Sequence, residues 1–161
     1  MKNFWNKIKP YVISILIALG VGALSGFLSR NGMEAYQLSA TKPPLSPPDI
    51  VFPIVWSILY ILMGISAALV FVNRDTDIES AYDGLKAYGL QLVMNFFWSL
   101  IFFNMAAYLF AFIWLLIMEI IIIYMILKFR KVSPLAAYLQ IPYALWCVFA
   151  LYLNLMTAIL N

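Results

Sequence analysis

Histidine occurs nowhere in the chain. Its absence excludes Ser-His and Cys-His catalytic pairs, a histidine-held haem and most zinc geometries, so neither a metal nor a resident cofactor is expected. A single cysteine, Cys147, has no partner for a disulfide. Charge is also scarce, at 11% of the residues, where average usage is roughly 25%. A water-exposed domain could not be covered with so little polar side chain.

What replaces charge is long apolar sequence, 65% of the chain. Tyr11–Leu28, Ile50–Val72, Leu85–Phe103, Ala106–Leu127 and Leu135–Leu160 each approach or exceed the ~20 residues that cross a bilayer core. The expectation is an all-α polytopic membrane protein, one five-helix transmembrane domain over residues 1–161. Helices are predicted at about 10–29, 49–73, 84–103, 106–128 and 133–158, with one sizeable outer loop at 30–48. The first run is longer than the ~7–15-residue apolar core of a cleaved signal peptide, so it is read as a retained span.

Five crossings put the N-terminus and the 73–84 and 128–134 connections on one side. That side holds Lys2, Lys7, Lys9, Arg74, Lys86, Lys128, Arg130 and Lys131, eight of the ten basic residues; Arg30 and Lys42 lie opposite. Because basic residues stay on the cytoplasmic side, the N-terminus is expected inside and the C-terminus outside. The net charge of +3 then reports topology and anionic lipid, not nucleic acid.

The first outer loop leads into helix 2 with five prolines, Pro43, Pro44, Pro47, Pro48 and Pro53. Proline holds the backbone extended and donates no hydrogen bond, which suits a rigid connector or a lid over whatever the helices enclose. Ala18, Gly22 and Gly26, spaced by four, permit close helix contact, either inside one bundle or along a dimer seam. The "NRDTDIESAYDGLK" connection reads as a solvated loop, and Ser133-Pro134 as the start of helix 5.

Polar side chains are costly in lipid unless they face protein, water or ligand. Gln91, Asn95 and Trp98 share one face of helix 3. Trp56, Tyr60, Met63 and Gly64 do so on helix 2, and Pro142, Trp146, Phe149, Ala150 and Asn154 on helix 5. Such faces line a pocket for a planar apolar ligand, or serve helix packing and interfacial belts, as Trp5 and Tyr11 do. Glu119, the one acid deep in a span, is expected neutral and hydrogen-bonded, its role open.

Three motifs in order, "KPPLSPPDIVFPIVWSILYILMG", "QLVMNFFWSLIFF" and "PYALWCVFALYLN", resemble the tryptophan-rich sensory protein or translocator protein family (TspO/MBR), which includes the mitochondrial peripheral-type benzodiazepine receptor. The resemblance covers nearly the whole chain. It implies a five-helix bundle in the bacterial cell membrane, often a homodimer, whose pocket under the first outer loop binds protoporphyrin IX, haem and isoquinoline carboxamides. By motif position the pocket residues are Pro47, Trp56, Asn95, Trp98, Trp146 and Ala150. With Tyr60, Tyr143 and Phe149 from the same motifs, these are the candidate ligand contacts, and Arg30 or Lys42 at the rim would attract propionates. No ordinary catalytic residue is expected. In a light-driven porphyrin-degrading variant of the function, also implied for some members, Trp56 and Trp146 would be the electron donors.

A third reading, a tetrapyrrole or lipid transporter, would favour internal repeats and broken helices. No repeat is present, and Pro53 and Pro142 are placed near helix starts. The chain departs from the family pattern at Leu45, where a loop tryptophan is usual, and at Trp114, where an acid is common. Glu119 stands five positions on, about 140° around the helix, so the acid's role is not transferred. A basic residue closing the proposed cholesterol motif is missing after Tyr152; "KAYGL" matches only its reversed form.

Overall fold

The structure, a computed structural model, describes the backbone of residues 1–161 and every side chain except that of Lys2. Five helices make up the fold: α1 (Lys2–Ser39), α2 (Val51–Val72), α3 (Ile78–Ser99), α4 (Tyr108–Val132) and α5 (Pro134–Leu160). All five are long and apolar enough to cross a membrane. Around the bundle the order is α1, α2, α5, α4, α3, with α3 closing back on α1.

α1 is 38 residues long, about 57 Å at 1.5 Å per residue, well beyond the ~30 Å hydrocarbon core. It does not stop at residue 29, so the outer connection is residues 40–50 rather than 30–48. The extension is polar and carries no spanning signal. Packing holds it in place: the Tyr36 ring meets Phe102 at 5.3 Å and Phe103 at 5.6 Å.

α3 likewise begins earlier than predicted, at Ile78 instead of 84. Asp77 caps it by accepting a hydrogen bond from the Ser80 N–H at 3.0 Å, which satisfies one of the free amides of the first turn. The "solvated loop" shrinks to residues 73–77, part of it a 3₁₀ turn over Arg74–Thr76. At its other end α3 runs into a π-helical turn, Leu100–Asn104. Asn104 donates to the Leu28 carbonyl at 3.0 Å, fastening the turn to α1.

Ser133 and Pro134 do open α5, with the Ser133 hydroxyl accepting from the Ala136 N–H. Pro142 is not near that start. It is the ninth residue of α5 and lies inside the helix, which therefore lacks the bond from position 142 to the Tyr138 carbonyl. Pro53 does sit in the first turn of α2, where the missing N–H costs little.

The small-residue stripe of α1 turns inward. Ala18 is fully buried, and a Cβ placed at Gly22 would stand 2.3 Å from the Tyr60 ring. From the other side, a Cβ at Gly64 would stand 2.5 Å from the Ile15 Cα. The α1 and α2 backbones thus approach as only glycine permits. The Trp114 indole donates to the Met94 carbonyl at 2.8 Å and ties α4 to α3. Glu119 is buried as expected, but its Oε2 has no hydrogen-bond partner among the described residues. Its nearest buried neighbours along α4, Leu115, Met118 and Ile122, are apolar.

Candidate functional site

A cavity of about 230 Å³ opens toward the end of the bundle that carries residues 40–50. Four helices supply its walls. α2 brings Phe52, Trp56 and Tyr60; α3 brings Asn95 and Trp98; α5 brings Trp146, Phe149 and Ala150. The fourth wall is α1, through Gly22, Ser25 and Tyr36.

Aromatic edges and faces fix these rings against one another. Trp56 lies 5.6 Å from Tyr60 and 6.2 Å from Tyr143. Trp146 meets Phe52 at 6.0 Å and Phe149 at 5.5 Å. Trp98 stacks on Phe102 at 5.3 Å, and its N–H donates to Asn154 Oδ1 at 3.1 Å. No protein acceptor meets the indole N–H of Trp56 or Trp146 among the described residues; Trp98 and Trp114 are the indoles that donate to protein.

Under the aromatics runs a buried hydrogen-bonded chain. Tyr60 Oη donates to Asn95 Oδ1 at 2.7 Å, and Asn95 Nδ2 donates to Tyr143 Oη at 2.9 Å. Tyr143 in turn donates to Gln91 Oε1 at 2.6 Å. Three spans are joined by polar contacts that the apolar interior makes necessary, since an unpaired polar group there is costly. Asn95 keeps one amide hydrogen for the cavity. A serine cluster, Ser25 and Ser29 of α1 with Ser99 of α3, closes the α1 side, Ser29 donating to Ser99 at 3.0 Å.

The cover is latched. Lys42 pairs with Asp49 at 3.1 Å. Asn161 accepts from the Thr41 N–H at 2.8 Å and donates to the Thr41 carbonyl at 3.1 Å. Tyr152 donates to the Pro44 carbonyl at 3.0 Å. Leu45, 80% exposed and at φ 65°, points away from the cavity rim, so a leucine there removes no wall contact in this conformation.

Of the nine candidate contacts, Trp56, Tyr60, Asn95, Trp98, Trp146, Phe149 and Ala150 line the cavity together. Two do not. Tyr143 is fully buried beneath it, and Pro47, half-buried in a mostly exposed loop, is not part of the wall. Asp49 is the loop residue that reaches the cavity. Lys42 pairs with Asp49, and the Arg30 guanidinium lies 4.2 Å over the Phe27 ring; neither residue lines the cavity. Tyr36 was missed because it lies beyond the hydrophobic run of α1, in the polar stretch expected to be loop, and Ser25 because serine on an otherwise small-residue face gives no signal of its own. Phe52 was missed as well, although an aromatic beside Pro53 at the start of α2 is a signal that could have found it.

The sequence model of the TspO/MBR family matches residues 14–160. A tryptophan-rich protein TspO from Chlorobaculum tepidum is 32% identical over 156 residues, covering 97% of this chain and 98% of the relative. The translocator protein of Ovis aries is 34% identical over 149 residues, covering 90% and 88%. A tryptophan-rich sensory protein from Cereibacter sphaeroides is 29% identical over 149 residues, covering 92% and 90%.

Proposed function

The chain belongs to the TspO/MBR family, and from that premise we propose that its cavity is a receptor site for porphyrins and related flat, lipophilic molecules. The observation that carries this reading is the convergence of Trp56, Trp98 and Trp146 from three different helices on one void. Flat π surfaces with few polar groups select a planar ligand. The unpartnered indole N–H groups and the remaining Asn95 hydrogen supply the donors that would orient it.

At about 230 Å³ the closed cavity is smaller than the ~300–1,000 Å³ of sites for drug-sized ligands. A tetrapyrrole therefore fits only with part of its edge outside or with the surrounding walls displaced. The distribution of basic residues supports an N-terminus on the cytoplasmic face of a bacterial cell membrane, which puts the cavity mouth on the outer side.

Quenching of tryptophan fluorescence by protoporphyrin IX tests the reading. Each aromatic contact adds about 0.5–1.5 kcal/mol beyond burial, so losing two weakens binding by roughly 5- to 150-fold. The Trp56→Leu, Trp146→Leu double variant is expected to lose affinity in that range. Unchanged affinity in that variant rejects the site.

A further inference from the structure

A second void of about 460 Å³ runs along the outside of the bundle between α2 and α5. Its rim residues Ile58 and Leu145 are 53% and 65% exposed on spans that face lipid. With Leu62 and Pro142 it forms a groove that presents no charged side chain. Hydrocarbon is the medium such a surface matches.

Trp146 and Phe149 line both this groove and the inner cavity. Both rings are half-buried. These two side chains are thus shared by the lipid-facing groove and the site. Pro142, four residues before Trp146, removes the backbone bond to the Tyr138 carbonyl one turn before the rings, so the helix leading into them is less constrained. The aqueous mouth contrasts with this, being held by an ion pair and by hydrogen bonds at Thr41, Pro44 and Asn161.

We propose that the α2–α5 groove is a lateral doorway through which a flat apolar compound dissolved in the bilayer reaches the cavity, with the rings of Trp146 and Phe149 as its door. The proposal rests on the reading of the cavity as a ligand site. A compound of that class concentrates in the hydrocarbon, so the groove meets it where it is most abundant. Turning two half-buried rings disturbs fewer bonds than unlatching residues 40–50.

The test uses the full chain in phosphatidylcholine vesicles containing protoporphyrin IX. Tryptophan quenching is followed as it relaxes after a temperature jump. Filling the groove with Ile58→Phe and Leu145→Phe, neither of which lines the cavity, is expected to slow relaxation at least tenfold while leaving equilibrium quenching unchanged. Asn161→Ala, which loosens the loop latch, is expected to leave the rate as it is. Relaxation unaffected by the two phenylalanines overturns the doorway, whatever Asn161→Ala does.

A second readout does not need the porphyrin. In vesicles of phosphatidylcholine brominated at mid-chain, bromine reaching the groove quenches the indole on its wall. The groove-filled variant is expected to lose part of that quenching, and identical quenching counts against the doorway. If protoporphyrin quenches no variant at all, the porphyrin reading fails, and the bromine experiment alone judges the doorway.

Discussion

Removing a single oxygen, by Tyr143→Phe, probes the buried chain that joins α2, α3 and α5. The Tyr143 hydroxyl accepts from Asn95 and donates to Gln91, and Tyr143 and Gln91 are both fully buried. Phenylalanine keeps the ring but leaves Gln91 Oε1 and an Asn95 hydrogen without this partner. In a water-soluble core each orphaned group costs about 1–3 kcal/mol. Inter-helix hydrogen bonds in a membrane average nearer ~0.6 kcal/mol, because the unfolded chain in lipid also finds partners. Two bonds then bracket the loss between ~1.2 and ~6 kcal/mol. The low end wins where neighbouring groups can re-pair, and the other contact of Gln91, its Nε2 donating to the Met63 sulfur at 3.8 Å, offers the orphaned Oε1 no donor. We expect about 2 kcal/mol, which for a chain of this size lowers Tm by ~4–8 °C. Cys147 is the natural reporter: the one thiol in the chain is fully buried, so a fluorogenic maleimide reacts only as the bundle opens. Tyr138→Phe, on an exposed ring with no hydrogen bond, serves as control and should not shift. A Tm for Tyr143→Phe within ~1 °C of the parent would refute the reasoning.

Two further outcomes follow from the packing and the charge. Gly64→Ala forces a methyl into the Ile15 backbone, which cannot give way as a flexible side chain would. Overpacking of that kind costs about 1–3 kcal/mol, so the same thiol assay should show Tm lower by ~2–12 °C; an unchanged Tm would mean α1 and α2 are not in close contact. The Asp77 carboxyl titrates below its ordinary range because the Ser80 backbone N–H, and then its side chain, hydrogen-bond the ionised form. A lowered folded value means the cap stabilises above the ordinary carboxylate range and its contribution fades as pH falls through the folded value. The Tm gap between parent and Asp77→Ala, followed by circular dichroism, should hold steady from about pH 7 to 5 and close below about pH 4. A gap that widens on acidification contradicts the capping geometry.

Much of the site was legible because its residues obey helical spacing. Trp56 and Tyr60, Asn95 and Trp98, and Trp146 with Phe149 and Ala150 each recur at three or four positions, and all seven reach the same cavity. Tyr143 was legible as a neighbour but not in its role. It lies under the cavity, because the turn that points Trp146 inward carries position 143 deeper between α2 and α3. Pro47 stays off the wall for a different reason: loop direction has no periodicity, and here Asp49 lines the cavity while Pro47 does not.

The sequence by itself determined the membrane class, the number of spans and the end of the bundle that gathers positive charge. Lipid imposes those constraints residue by residue along the chain, through length, polarity and flanking charge. Tertiary structure decided where α1 stops, which polar groups pair, and how the loop is held. Each of those depends on atoms brought together from distant positions, such as Tyr36 with Phe102, Asn95 with Tyr143, and Thr41 with Asn161. No local pattern encodes such a meeting, because its free energy exists only once the helices have packed.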